Sequence, residues 1–379
     1  MADSPTTQPY FAQIADGLET EGVAELTALG AIDARPTRRG IHFRADRAAL
    51  YRINYLSRLC TRILAPVKNF TCGGPDDIYR AGRGIDWSRY LTPEQTFAVF
   101  ANSAGSRVPH SQFAALKLKD AVADQFRDGY GRRPNVDPLN PDLWINLYIH
   151  EDRGTIGIDT SGGSLHRRGY RSASVDAPMQ ETVGAAVVGL AGWSGERPLV
   201  DFMCGSGTLV IEAAMAYCRI PAGFLRTAFG FQRMPDFDAA LWASVKAQAD
   251  GQMRKLPAGL ISASDVDAAA IKAIRANCRM LPHVRRIDVL RLDYRKIAGL
   301  EKRTLVCNPP YGIRLRGGPA LETFYRELGD FLKQRCTGSD AYIYFGNRDM
   351  LKCIGLKPSW KKPLRNGGLD GRLVKYALY

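Results

Sequence analysis

The chain has 379 residues and carries 52 Lys and Arg against 38 Asp and Glu, a formal net charge of +14. That length suits two or three compact units, each able to bury its own core, and the composition is neither fibrous nor disordered. The excess of cations favours a polyanionic partner, nucleic acid first, because side chains that neutralise phosphates release condensed counterions.

Residues 1–10 lack the basic start, apolar run and small-residue cleavage site of a secretory signal. No stretch approaches the ~20 apolar residues of a membrane span, so a soluble cytoplasmic protein without a membrane partner is expected. Residues 21–29 have helical spacing, and 40–43 read as a short strand after the basic turn Arg35 to Arg39. The spacing of Leu50, Ile53, Leu56, Leu59 and Ile63 predicts one amphipathic helix over 47–64, with Arg52, Arg58 and Arg62 on a solvated face. Strand 96–102, helix 112–129, strand 143–150, a tight turn at 151–153 and strand 154–159 then suggest a compact α+β unit. Residues 160–175 are a linker by composition. Their run His166-Arg167-Arg168-Gly169-Tyr170-Arg171 equally suits a phosphate backbone and a stacked base.

From Ala177 helices and strands alternate: helix 179–190, strand 198–202, helix 208–217, strand 260–264, helix 268–280, strands 287–291 and 304–306, helix 321–333, strand 340–345. This order predicts an α/β domain of doubly wound, Rossmann-like type, with ligands at the carboxyl ends of its strands. Between Thr208 and Asp265 lies an insertion, 219–258, which the sequence leaves open as a lid or an RNA contact. Eight cysteines (Cys60, Cys72, Cys204, Cys218, Cys278, Cys307, Cys336, Cys353) are scattered singly, so reduced thiols and no metal site are expected.

Three strand ends carry the chemistry. The first reads Asp201-Phe202-Met203-Cys204-Gly205-Ser206-Gly207-Thr208. Gly205 and Gly207 let backbone approach a ligand, and the helix start offers unpaired N–H groups. The spacing is neither that of a dinucleotide site nor of a P-loop. Asp201 would favour a cationic group, such as the ammonium and sulfonium of S-adenosylmethionine. The second strand ends in Ser264-Asp265-Val266-Asp267. Asp265 suits a pair of ribose hydroxyls and Asp267 the cap of the next helix. A third acid, Asp293, is either a cap or an acceptor for an adenine amino group.

The run Asn308-Pro309-Pro310-Tyr311-Gly312 follows strand 304–306. An exocyclic base amine is a poor nucleophile, because its lone pair is delocalised into the ring. The Asn308 amide oxygen and the Pro309 carbonyl can both accept from that amine, the prolines hold the backbone extended, and Tyr311 can stack on the base.

These ordered motifs resemble those of the N-P-P-Y amino-methyltransferases. Lys68-Asn69-Phe70 and the segment to about Asp159 resemble a THUMP RNA-binding domain preceded by a small ferredoxin-like region. The bridge 164–171 and the tail 364–373, which includes Asn366 and Arg372, are similar to the bacterial large-subunit (23S) ribosomal RNA guanine N2-methyltransferases. The resemblance implies a ferredoxin-like region at 1–49, a THUMP domain at 50–160, a linker at 161–176 and an S-adenosylmethionine-dependent methyltransferase domain at 177–379. It places Asp201, Cys204, Gly205 and Gly207 on the methionine side of the cofactor, Asp265 on its ribose, Asp293 on its adenine, and Asn308, Pro309, Pro310 and Tyr311 on the target base. The implied partner is RNA, either 23S ribosomal RNA or an assembling large subunit. The sequence departs from that family at Phe202, where proline is common, and at Asp370-Gly371, where many members have glutamate and cysteine. Rival readings are a DNA adenine N6-methyltransferase, a tRNA guanine N2-methyltransferase, and a non-catalytic RNA-binding assembly factor.

Overall fold

The computed structural model describes residues 6–108, 110–173, 179–311 and 319–379. Expectations that fall on 1–5, on 174–178 (the end of the predicted linker and the start of the α/β alternation) and on Gly312 lie outside the described residues.

The front of the chain is one eight-stranded sheet with helices packed on it. In order it contains β1 (Gln8–Ile14), α1 (Glu19–Ala28), β2 (Ile32–Thr37), β3 (Gly40–Ala45), α2 (Arg47–Leu56), β4 (Cys60–Thr71), α3 (Pro75–Arg83), β5 (Thr96–Ala104), α4 (Ser111–Tyr130), β6 (Asn135–Val136), β7 (Leu143–His150) and β8 (Arg153–Asp159). The strands lie in the order β2-β3-β1-β4-β8-β7-β5-β6. The long strand β4 joins its two halves, pairing with β1 near its start and with β8 from Leu64 onward.

That strand corrects the single helix expected over 47–64. Helix α2 stops at Leu56, and the Glu25 carboxylate accepts the next free N–H groups, from Arg58 at 2.8 Å and Leu59 at 3.2 Å. The apolar spacing on either side of this turn fits helix and strand alike, so periodicity could not separate them. The arginines are not a solvated face either. Arg52 donates to the Leu29 carbonyl at 3.1 Å, Arg58 to those of Met215 and Ile220 at 3.0 and 2.7 Å, and Arg62 pairs with buried Asp159 while lying over the Phe100 ring.

The rest of the chain builds a second sheet from α5 (Glu181–Leu190), β9 (Leu199–Asp201), α6 (Thr208–Tyr217), α7 (Ala239–Asp250), β10 (Ile261–Asp265), α8 (Ala268–Arg279), β11 (Asp288–Arg291), β12 (Thr304–Cys307), α9 (Pro319–Arg335), β13 (Asp340–Phe345), β14 (Trp360–Asn366) and β15 (Leu369–Ala377). Its order is β11-β10-β9-β12-β13-β15-β14, parallel from β11 to β13 and antiparallel at β15 and β14. Helix α9 buries Leu321, Tyr325, Leu328 and Leu332 in one apolar layer, while α5 and α6 bury Val183, Val187, Val210 and Ala214 in the other. The strand order turns back between β9 and β12, and such a switch point opens a crevice beyond the strand ends. The hairpin β14–β15 was not among the expected elements. Its signal was Gly367-Gly368, a two-residue turn between paired Asn366 and Leu369 with Gly367 at φ 60°. Pro363 masked the strand, and is tolerated because β14 is the sheet edge.

The insertion 219–258 packs as a brace between the two sheets. Phe229, Phe231 and Trp242 close around Tyr51 and Tyr55 of α2, with Tyr51 stacked on Phe231 at 4.5 Å between ring centres. The Tyr55 hydroxyl donates to Asp250 at 2.6 Å. The basic run of the linker is also packed. Arg168 is 1% exposed and faces Glu212 at 3.5 Å, and the Tyr170 hydroxyl donates to the same carboxylate at 3.1 Å. Those side chains, with Arg171, are internal struts, which corrects the reading of them as contacts to a nucleic acid. Among the described residues no helix is long and apolar enough to cross a membrane, and no group of three or more potential metal ligands occurs.

Candidate active site

A cavity of about 730 Å³ opens at the carboxyl ends of β9, β10 and β12, closed on its far side by α9. Asp201, Cys204, Gly205, Asp265, Asp293, Asn308, Pro309, Pro310 and Tyr311 all line it. Gly207 does not. It caps α6 at φ 89°, and a Cβ there would lie 2.4 Å from Cγ1 of Ile274, so its absent side chain serves helix packing behind the wall.

The β9 turn is tied to β10 twice. The Cys204 N–H donates to the Ser264 carbonyl at 3.0 Å, and the Gly205 N–H to Oδ2 of Asp265 at 2.9 Å. Asp201 is 1% exposed and accepts from the Met203 N–H at 3.1 Å. Burial, reinforced by the nearby Asp265 charge, pushes its carboxyl up to about 8. Among the described residues Asp201 has no ion-pair partner. Burial also pushes the Cys204 thiol well above its ordinary value, so it is no thiolate nucleophile.

Asp265 accepts from Asp267 N–H as well, at 3.0 Å, which leaves further lone pairs on both oxygens towards the cavity. Asp267 caps α8 by accepting from the Ala269 N–H at 2.8 Å. Asp293 caps the 3-10 turn Tyr294–Lys296 and grips the Arg295 guanidinium, whose Nη2 lies 2.6 Å from Oδ2. That hydrogen bond holds the Asp293 carboxyl below the usual range. Asp293 is thus both a cap and a part of the wall.

Asn308 follows the buried strand β12 directly, and its side-chain oxygen is buried with no hydrogen-bond partner among the described residues. Leaving such an acceptor unpaired costs about 1–3 kcal/mol, so a donor from a ligand is the natural partner. The Tyr325 hydroxyl of α9 donates to the Pro310 carbonyl at 3.3 Å, fixing the proline run from behind. The Tyr311 ring lies against the backbone of Gly346 after β13, where a Cβ would come within 2.6 Å of it. Phe202 is buried against Phe331 at 5.4 Å and also lines the cavity beside the glycine turn.

Sequence reasoning missed two supports. Arg171 donates to Glu181 Oε1, Ser206 Oγ and the Met179 carbonyl at 3.0 Å each, and to Thr208 Oγ1 at 3.1 Å, so one guanidinium holds three cavity-wall residues. Asn277, fully buried on α8, donates to the Ser206 carbonyl at 3.0 Å and accepts from the Ser172 N–H at 2.9 Å. The only sequence signal for Arg171 was its basic run, which composition assigned to a linker.

Comparison with known proteins follows the same layout. Residues 168–375 match the RMKL-like methyltransferase domain, 75–159 the THUMP domain and 9–64 the RlmL ferredoxin-like domain. A Synechocystis sp. protein described as a candidate RNA methyltransferase is 42% identical over 379 residues, covering 100% of this chain and 99% of that one. Ribosomal RNA large subunit methyltransferase K/L of Syntrophotalea carbinolica is 38% identical over 97% of this chain and 53% of its own length. The chain therefore spans about half the length of the K/L relatives it matches. A crystal structure of a candidate methyltransferase complexed with SAH superposes with a TM-score of 0.85 at 28% identity, covering 99% of both chains.

Proposed function

The chain belongs to the RMKL-like methyltransferase family, behind ferredoxin-like and THUMP domains, and on that premise we propose that it methylates the exocyclic N2 of a guanine in RNA. The proposed substrate is 23S ribosomal RNA, free or in an assembling large subunit, and the proposed cofactor is S-adenosylmethionine. The observation that carries the reading is the buried Asn308 oxygen, without a hydrogen-bond partner among the described residues, in the wall of a cavity that also holds Asp201 and Asp265.

The donor set fits that cofactor. Asp201, raised by burial, gains a partner from the ammonium end, Asp265 keeps lone pairs for ribose hydroxyls, and Val266 and Asp293 border the space beside it. When bound, S-adenosylmethionine supplies an electrophilic methyl group on a sulfonium. Asn308 then accepts a hydrogen bond from the base amine, drawing its lone pair out of conjugation, with the Pro309 carbonyl as second acceptor. Tyr325 occupies the Pro310 carbonyl instead, so it stiffens the run without competing for the amine. Tyr311 offers its ring to the base. The motif contains no strong general base, and the amine proton leaves to water. Positioning of the two reactants is the main device and is worth up to roughly 7–11 kcal/mol. A helical base must first be flipped out at a cost of a few kcal/mol, which RNA contacts of the front sheet offset.

The test is methyl transfer from labelled S-adenosylmethionine to protein-free large-subunit ribosomal RNA, tRNA and DNA, with the modified nucleoside identified by mass spectrometry. N2-methylguanosine in ribosomal RNA is expected. N6-methyladenine in DNA would overturn the substrate while keeping the chemistry.

A further inference from the structure

A second groove, about 360 Å³, runs along the outer face of α8 at the edge of the methyltransferase sheet. It is lined by Ala268, Ile271, Lys272, Arg275, Arg279 and Arg291, four cations over a small apolar floor and no acid. Lys272, Arg275 and Arg279 are spaced i, i+3 and i+7 on the exposed side of the helix, and Arg291 comes from the carboxyl end of β11. Such spacing makes like charges neighbours, which opposes helix stability unless an anion lies among them. None of the four forms an ion pair among the described residues, whereas other exposed arginines such as Arg233 and Arg326 do. The Asp267 carboxylate at the head of α8 is committed to its cap.

Two of the cations are also pre-aimed. Nη2 of Arg275 donates to the Val289 carbonyl at 3.0 Å, and Nε of Arg291 to that of Val266 at 3.2 Å. Each guanidinium is fixed in direction by one bond and keeps its other donors for a ligand. Val266 lies in the wall of the active-site cavity, so the Arg291 bond ties the groove to that wall on its β10 side. Arg285 and Arg286, both exposed, continue the positive surface beyond the end of α8.

Resting on the RNA methyltransferase reading, we infer that the α8–β11 edge is a phosphate track that holds the backbone of the substrate RNA flanking the modified nucleotide, on the cofactor side of the cavity and three strands from the target base at β12. It is separate from the front sheet and belongs to the catalytic domain itself. Phosphodiesters fit because the groove offers four cations along one face, two of them fixed in direction, and no side-chain acceptor group.

The variant Lys272→Gln/Arg275→Gln/Arg279→Gln removes three charges and keeps good helix formers. Binding of protein-free large-subunit ribosomal RNA would be measured as a function of salt, together with binding of S-adenosylmethionine. The expected result is at least tenfold weaker RNA binding at low salt, a slope of log K against log salt shallower by roughly two to three, and unchanged cofactor affinity. Wild-type affinity and slope in the variant would overturn the track while leaving the RNA reading intact. A wild-type chain that binds no RNA would overturn that reading and the track with it, and a loss seen only with duplex DNA would overturn RNA as the source of the phosphates. Lys272→Gln/Arg279→Gln spares the Arg275 anchor. Should the triple variant not fold, this pair is expected to flatten the slope by about one to two, and an unchanged slope would overturn the track.

Discussion

Asp201 should release a proton when the cofactor binds. Its carboxyl is fully buried and pushed up to about 8, chiefly by desolvation. The distance from an ordinary aspartate corresponds to roughly 6 kcal/mol of opposition to the charged form, so at pH 7 only about one molecule in ten is ionised. An ammonium group beside it favours the charged form, and binding must then expel the proton. Affinity for S-adenosylmethionine should rise about tenfold per pH unit from 6 to 8 and level off above. Titration calorimetry at pH 7 in two buffers of different ionisation enthalpy should give close to one proton released per site. Asp201→Asn should abolish both the release and the pH dependence, and weaken binding by about 2–4 kcal/mol at pH 8. The sign for folding is opposite. A carboxyl raised in the native state contributes stability below its unfolded value and loses it as pH rises through 8, so the free Asn variant should be the more stable chain at pH 9. A flat affinity profile with no proton release would refute this role for Asp201.

Other perturbations have separate signatures. Arg171→Lys loses the planar fork that joins Glu181, Ser206 and Thr208; equilibrium dialysis should show cofactor affinity lower by roughly 1–1.5 kcal/mol, with RNA affinity unchanged. Gly207→Ala forces a Cβ onto Ile274 at positive φ, and thermal or denaturant melts should record a loss of about 2–4 kcal/mol. Trp242→Ala empties the aromatic brace between α2 and α7; about 3–5 kcal/mol should be lost, and a single melting transition should split as the front sheet uncouples from the catalytic domain.

Most of the cavity lining was legible because it sits at strand ends with short, fixed offsets. An acid closing β9, an acid closing β10 and Asn-Pro-Pro-Tyr after β12 stand out at the ends of apolar strands, and parallel order then brings them together. Less legible was anything decided by long-range packing. Arg58, Arg168 and Arg171 read as surface cations, yet each is turned inward to carbonyls or carboxylates more than a dozen residues away or across the bridge. The brace at 219–258 carries its meaning in Tyr51 and Tyr55, well over a hundred residues earlier, so no local pattern could show what it packs against. Gly207 shows the limit from the other side: the motif assigned it to the cofactor, but it lies outside the cavity lining and its neighbour Ile274 shows that it serves helix packing.

The most direct measurement is single-turnover methyl transfer by Asn308→Ala to the RNA that the wild-type chain modifies, alongside the dissociation constant for S-adenosylmethionine. If the buried amide oxygen activates the base amine, the rate should fall by roughly 10²–10³-fold while cofactor affinity stays within a few-fold of wild type. Transfer at the wild-type rate would remove Asn308 from the chemistry and with it the proposed use of the cavity.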